Sequence, residues 1–224
     1  MLKADFHLHV QGDPRHHLKH TAQQLIDHAS KLNFQVLAIT NHDQVFYSPE
    51  LADYAQSKNI FLIPAAEKTL AGKEVLLYNV TQKDIDQLKT FDDLKKLKQK
   101  KDILIIAPHP FFLLPSCLGN QLEKHLGLFD AIEYSHFHHK FINRNQKAVK
   151  LAQKYQKPLI GTSDCHALFQ FNHTYTLVDS KPDQNSIFQA IKNQKCHFVT
   201  QALSTKDFLK VPFVSLFNRR ITDL

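Results

Sequence analysis

Short apolar runs alternate along the chain with stretches of helical period. The runs KADFHL (3–8), QVLAIT (35–40), IFLIPA (60–65), EVLLYN (74–79), ILIIAP (103–108), DAIEYS (130–135), PLIGTS (158–163) and TYTLV (174–178) read as short buried strands. Between them, residues 21–33 place Leu25, Ile26, Ala29 and Leu32 on one helical face, with Thr21 as the cap. Further helices are expected over 48–59, 81–100, 141–156 and 183–194. Strand-then-helix alternation predicts parallel strands joined by right-handed crossovers. Seven or eight such units without a break in composition predict a closed barrel rather than an open sheet. The fold class expected is α/β, a closed barrel in a single domain over 1–224. Its core is expected to run to about 200, with a tail over 201–224 that packs on the barrel or mediates association.

Composition narrows the class. Apolar residues make up 43% of 224, enough for a large core. No apolar run is long enough to span a membrane, and Lys3, Asp5 and His7 interrupt any secretory signal. Cys117, Cys165 and Cys196 form no CxxC pair, which suggests reduced thiols and a cytoplasmic protein. The net charge is +7, mostly from lysine, and KKLKQKK (95–101) is the densest run. Its plain reading is the solvated face of a helix; its alternative is a nucleic-acid patch. The chain also carries fifteen histidines, which the charge count hides.

The histidines gather where strands end. The first strand is followed by His7, His9 and Asp13, the second by His42, the third by Glu67 and the fifth by His109. The sixth runs into His136, His138 and His139, and the seventh into Asp164 and His166. Alternate residues of a strand share a face, so His7 and His9 project together. In α/β barrels all strand C-termini converge on one mouth, where chemistry is done. Imidazole and carboxylate without cysteine suit divalent zinc, manganese or iron and disfavour a structural zinc finger. Two such ions bridged by a carboxylate such as Glu67 could clamp a phosphoryl group and activate water.

HLH at 7–9, NHD at 41–43, AAE at 65–67, PHP at 108–110 and SDCH at 163–166 resemble, in order, the motifs of the PHP (polymerase and histidinol phosphatase) superfamily, most closely its small stand-alone members. The resemblance implies a distorted (βα)7 TIM-like barrel holding two or three divalent metal ions. It implies hydrolysis of phosphate esters by metal-activated water. By motif position, His7, His9, Glu67 and Asp164 would hold one metal; Glu67, His109 and His136 a second; Asp13, His42 and His166 a third. Asp13 stands four residues after His9, where many members have the acid one residue later, so His16 or His17 is the alternative. His138 is the alternative to His136. His42 and His166 are candidates to protonate the leaving group. The expected substrate is a phosphate monoester: a nucleotide, a sugar phosphate or a compound like histidinol phosphate. The alternatives are a nuclease acting on RNA or DNA ends and a non-catalytic metal-stabilised module.

Other residues carry plainer readings. His20, His28, His125 and His197 are read as surface or partner-satisfied, His173 as a strand-edge residue, and Cys165 as packing. His139 and Lys140 are loop-face anion binders at most. Arg15 and Arg144, scarce bidentate donors, are read as surface residues. Glu74, where relatives often place a histidine, is unassigned.

Overall fold

The structure, a computed structural model, describes residues 1–217; Arg219, Arg220 and the end of the tail lie outside the described residues. In chain order, β1 (Leu2–Leu8), α1 (Ala22–Lys31), β2 (Val36–Ile39), α2 (Pro49–Ser57) and β3 (Phe61–Leu70) form the first parallel units. Then come β4 (Lys73–Tyr78), α3 (Gln82–Gln87), α4 (Phe91–Lys100) and β5 (Leu104–Ala107). They are followed by α5 (Asn120–Lys124), β6 (Ala131–Ser135), α6 (Gln146–Tyr155) and β7 (Leu159–Thr162). The last elements are β8 (Thr174–Val178), α7 (Gln184–Lys192), β9 (Cys196–Thr200) and α8 (Thr205–Phe217).

One nine-stranded sheet, ordered β7-β6-β5-β4-β3-β2-β1-β8-β9, curls into a nearly closed barrel. Its distortion has two sources. β4 returns antiparallel to β3 through a tight turn at Ala71 and Gly72, with φ of 48° and 75°, instead of crossing over by a helix. β8 and β9 also run antiparallel to their neighbours, and β9 is a strand that the hydrophobic pattern did not announce. The seam between β7 and the antiparallel β8–β9 pair is tight. Thr176 Oγ1 donates to the Gly161 carbonyl at 2.8 Å, and a Cβ on Gly161 would meet Phe198 Cβ at 2.6 Å. Tyr134 stacks on Phe198 at 4.4 Å between ring centroids.

The expected helices form, with two corrections. The 81–100 stretch splits because Thr90 caps a new helix, accepting from Asp93 N–H while Asp93 bonds back to the Thr90 N–H. The 141–156 stretch starts only at Gln146, because buried Asn145 is clamped to Ser135 through both its amide atoms. Thr21 caps α1 as expected.

Strand parity sorts the core into an inner and an outer shell. Ala4, Phe6, Val36, Ala38, Ile63, Ala65, Leu76, Tyr78, Ala131 and Ile160 fill the barrel interior, closed below by Phe188 and Ile191 of α7. Leu8, Leu37 and Ile39 face outward under α1 and α2, and Val75, Leu77, Ile105 and Ile132 under α3, α4 and α6. The three cysteines are unpaired. Among the described residues no helix is long and apolar enough to cross a membrane.

Candidate metal centre

The inward parity of the strands continues into polar residues at the mouth. Glu67 follows Ile63 and Ala65, His42 follows Val36 and Ala38, Glu133 follows Ala131, and Asp164 follows Ile160 and Thr162. β1 changes parity within the strand. Its pairing with β2 shifts register between Asp5 and Leu8, so Ala4 and Phe6 face inward below this bulge while His7 and His9 face inward above it. The bulge aims the two imidazoles of HLH at the interior and turns Leu8 out to α1. Two ligand-type residues sit on strained backbone, His109 at φ 24° and Asp164 at φ 44°. Such positions cost about 1–3 kcal/mol each and persist where the surroundings hold them.

These side chains converge on Glu67, which is 1% exposed. His7 Nε2 and His9 Nε2 each lie 3.3 Å from Glu67 Oε2 and 3.4 Å from Asp164 Oδ1. His42 Nε2 lies 3.2 Å from Glu67 Oε2, and His109 Nε2 3.4 Å from Glu67 Oε1. His9 Nε2, Glu67 Oε1 and Asp164 Oδ1 are buried and make no hydrogen bond despite this proximity. Spacings of about 3.3–3.4 Å are those between corners of a tetrahedron whose centre lies ~2.0–2.1 Å from nitrogen and oxygen ligands. The donor set therefore fits a divalent cation, and His7, His9 and Asp164 form one of the groups able to hold one.

A second layer of carboxylates fixes the imidazoles. His7 Nδ1 donates to Glu133 Oε1 at 3.1 Å, and Glu133 also accepts from Thr162 Oγ1 and the His109 N–H. Asp13 Oδ2 accepts from His9 Nδ1 at 3.1 Å, His42 Nδ1 at 2.9 Å and the His42 N–H at 2.9 Å. Asp13 Oδ1 accepts from the N–H groups of Arg15 and His16 at 2.8 and 3.0 Å. An ionised carboxylate is acceptor-only, so these bonds put the proton on each Nδ1 and leave Nε2 lone pairs facing the centre. Burial alone would lower the His7 pKa, but Asp164, Glu67 and Glu133 outweigh it and raise it to about 10, so without a cation its Nε2 holds a proton that a bound metal would displace. Burial would raise the Asp13 pKa, yet His42 and His9 hold it far below the carboxylate range.

The remaining sequence candidates fall as follows. His16 is buried, its ring centroid 5.1 Å from His42 and 4.6 Å from His166, and its Nδ1 has no partner. Burial, then repulsion from His166, His42 and His9, pushes its pKa down to about 2. His17 is exposed. His166 Nδ1 lies 3.4 Å from Asp164 Oδ1. His136 is buried: Gln170 Nε2 donates to its Nε2 at 3.1 Å, and its Nδ1 has no partner. Burial, against attraction from Asp164 and Glu133, lowers its pKa to about 4. His138 Nε2 bonds Thr200 Oγ1 at 2.8 Å and serves the seam. His139 bonds Thr205 at the start of α8. His20 is satisfied by the His9 carbonyl at 2.8 Å. Cys165 packs in the outer shell, as expected. Arg15 is not a surface residue: its guanidinium bonds Asp43 at 2.7 Å and Glu74 at 3.2 Å, and reaches Thr69. The strand-end pattern missed Glu133, which lies inside a strand, and Gln170, which lies past the last motif.

A family described as PHP-associated matches residues 143–196. A two-domain protein containing a predicted PHP-like metal-dependent phosphoesterase from Bacteroides vulgatus superposes with a TM-score of 0.68 at 18% identity, over 97% of this chain and 69% of that one. The chain shares the fold of that protein. PsfC from Pseudomonas syringae shares the fold as well, with a TM-score of 0.66 at 18% identity over 96% of this chain and 97% of that one. The lesion-specific endonuclease EndoQ from Pyrococcus furiosus matches with a TM-score of 0.62 at 14% identity, over 86% of this chain and 56% of that one. No curated protein matches the sequence.

Proposed function

We propose that this chain is a PHP-type metal-dependent phosphoesterase that hydrolyses a phosphate monoester. The supporting observation is the group of His7, His9 and Asp164 around Glu67, with buried nitrogen and oxygen atoms that face one another without hydrogen bonds. In this reading His7, His9, Glu67 and Asp164 hold one cation, and Glu67 and His109 reach a second. His16, His42 and His166 flank a third position. Asp13, with both oxygens taken by donors, orients His9 and His42 rather than ligating. Divalent cations at these positions, such as zinc, manganese or iron, would supply Lewis-acid charge to phosphoryl oxygens and lower the pKa of the attacking water.

Water adds to phosphorus, the ester P–O bond breaks, and the leaving oxygen takes a proton. With two cations bound, His166 is free to deliver that proton, because His42 has Nδ1 on Asp13 and Nε2 on Glu67. His166 also lines a cavity of about 670 Å³ together with Lys19, Leu168 and Phe213. That volume suits the organic part of a small substrate, and Lys19 suits an anionic group on it. The test is release of inorganic phosphate from an aryl phosphate with Mn(II) or Zn(II). Equal rates in wild type and a His7→Ala, His9→Ala double variant would refute the proposal.

The likeness to an endonuclease favours a second reading, cleavage of nucleic-acid ends. The KKLKQKK run speaks against it. It lies on α4 and leads into the N-terminal end of β5, the pole away from the mouth, and Lys98 and Lys101 are paired with Asp130 and Asp84. A nuclease would bind single strands with steep salt dependence; no binding at low salt would remove this reading.

A further inference from the structure

Glu67, His109 and His136 are the set that the PHP resemblance implies for a second cation, but the fold brings a different carboxylate to Glu67 and His109. β4 runs antiparallel to β3, so its N-terminal end lies at the mouth, with Glu74 opposite Thr69. Inward parity from Tyr78 and Leu76 carries Glu74 to the barrel interior, where it is 7% exposed. Glu74 Oε2 lies 3.9 Å from His109 Nε2, the nitrogen that Glu67 Oε1 approaches at 3.4 Å. One donor atom each from His42, Glu67 and Glu74 lie within 4.8 Å of one another. Glu67 Oε1 is buried without a hydrogen-bond partner. Arg15 Nη1 donates to Glu74 Oε1 at 3.2 Å, which orients the carboxylate and leaves Oε2 turned to the centre. Two buried carboxylates facing each other are costly unless a positive charge lies between them.

We propose that Glu74 is a ligand of the second cation, beside Glu67 Oε1 and His109 Nε2, in the place that the resemblance gives to His136. The assignment rests on the metal-dependent reading above. Arg15 acts through Glu74 as a positioning residue. Two carboxylate oxygens and one imidazole make an oxygen-rich set, which suits Mn(II).

The experiment loads the full chain with Mn(II) after chelator treatment. Bound metal is counted at saturation, affinities are measured by calorimetry, and exchange coupling between neighbouring Mn(II) ions is read by electron paramagnetic resonance. Changes outside the ligands already weaken metal sites by about 10–100-fold, so Glu74→Gln is expected to lose the second equivalent and the coupled signal. Arg15→Gln is expected to weaken the second equivalent and still fill it at saturation. His136→Gln is expected to keep the wild-type count. If Glu74→Gln does not fold, Glu74→Asp serves, with weakening of the second equivalent only. A wild-type count and affinity in the Glu74 variant, or loss of the equivalent in His136→Gln instead, overturns the assignment alone. A wild-type chain that takes up no Mn(II) overturns the metal-dependent reading with it.

Discussion

Replacing Asp13 by asparagine separates a carboxylate that ligates from one that orients. The native side chain is fully buried and accepts from His9 Nδ1, His42 Nδ1 and the N–H groups of His42, Arg15 and His16. An amide has one acceptor oxygen and one donor nitrogen, so it satisfies one side only. With the nitrogen toward Arg15 and His16, two backbone N–H groups lose their acceptor. At about 1–3 kcal/mol per buried unsatisfied group, the loss is roughly 2–6 kcal/mol. For a chain of this size that lowers the melting temperature by on the order of 10 °C. With the nitrogen toward the histidines, His9 and His42 relax to the tautomer protonated on Nε2, and their lone pairs no longer face Glu67. Either way, metal affinity should fall about 10–100-fold while the count at saturation stays that of wild type. Thermal melts in chelator and metal titration of wild type and Asp13→Asn read the two effects. Loss of a whole equivalent at saturation would make Asp13 a ligand. An unchanged melt together with unchanged affinity would refute the reasoning altogether.

Two further outcomes follow from the fold. Gly161→Ala places a Cβ 2.6 Å from Phe198 Cβ and 2.9 Å from the Tyr175 carbonyl oxygen, forcing β7 away from the β8–β9 pair. The expected destabilisation is about 1–3 kcal/mol by urea denaturation, and a neutral result would show that the seam is looser than described. Removing metal with a chelator should abolish phosphatase activity and lower the melting temperature while far-ultraviolet circular dichroism keeps its native form, because the apolar shells are independent of the site. Loss of the fold itself on chelation would favour a structural role for the ions.

Much of the barrel and its mouth could be read from the chain because the relevant information is local. Every strand but β9 announces itself by an apolar run, and a residue just past the C-terminal end of a parallel strand reaches the mouth whatever its partners are. His7, His9, His42, Glu67, His109, Asp164 and His166 were found this way. Contacts between distant segments decided the rest. Whether Asp13 or His16 presents a free lone pair depends on which N–H groups meet Asp13, and His42 supplies two of them from 29 residues away. Gln170, 34 residues on, draws His136 into its own bond. Glu74 stands at the start of its strand, and only the reversal of β4 carries it to the mouth. Residue type and spacing fix what a side chain can bind; strand direction, a bulge in β1 and the hydrogen-bond partners fix which atoms are left to bind it.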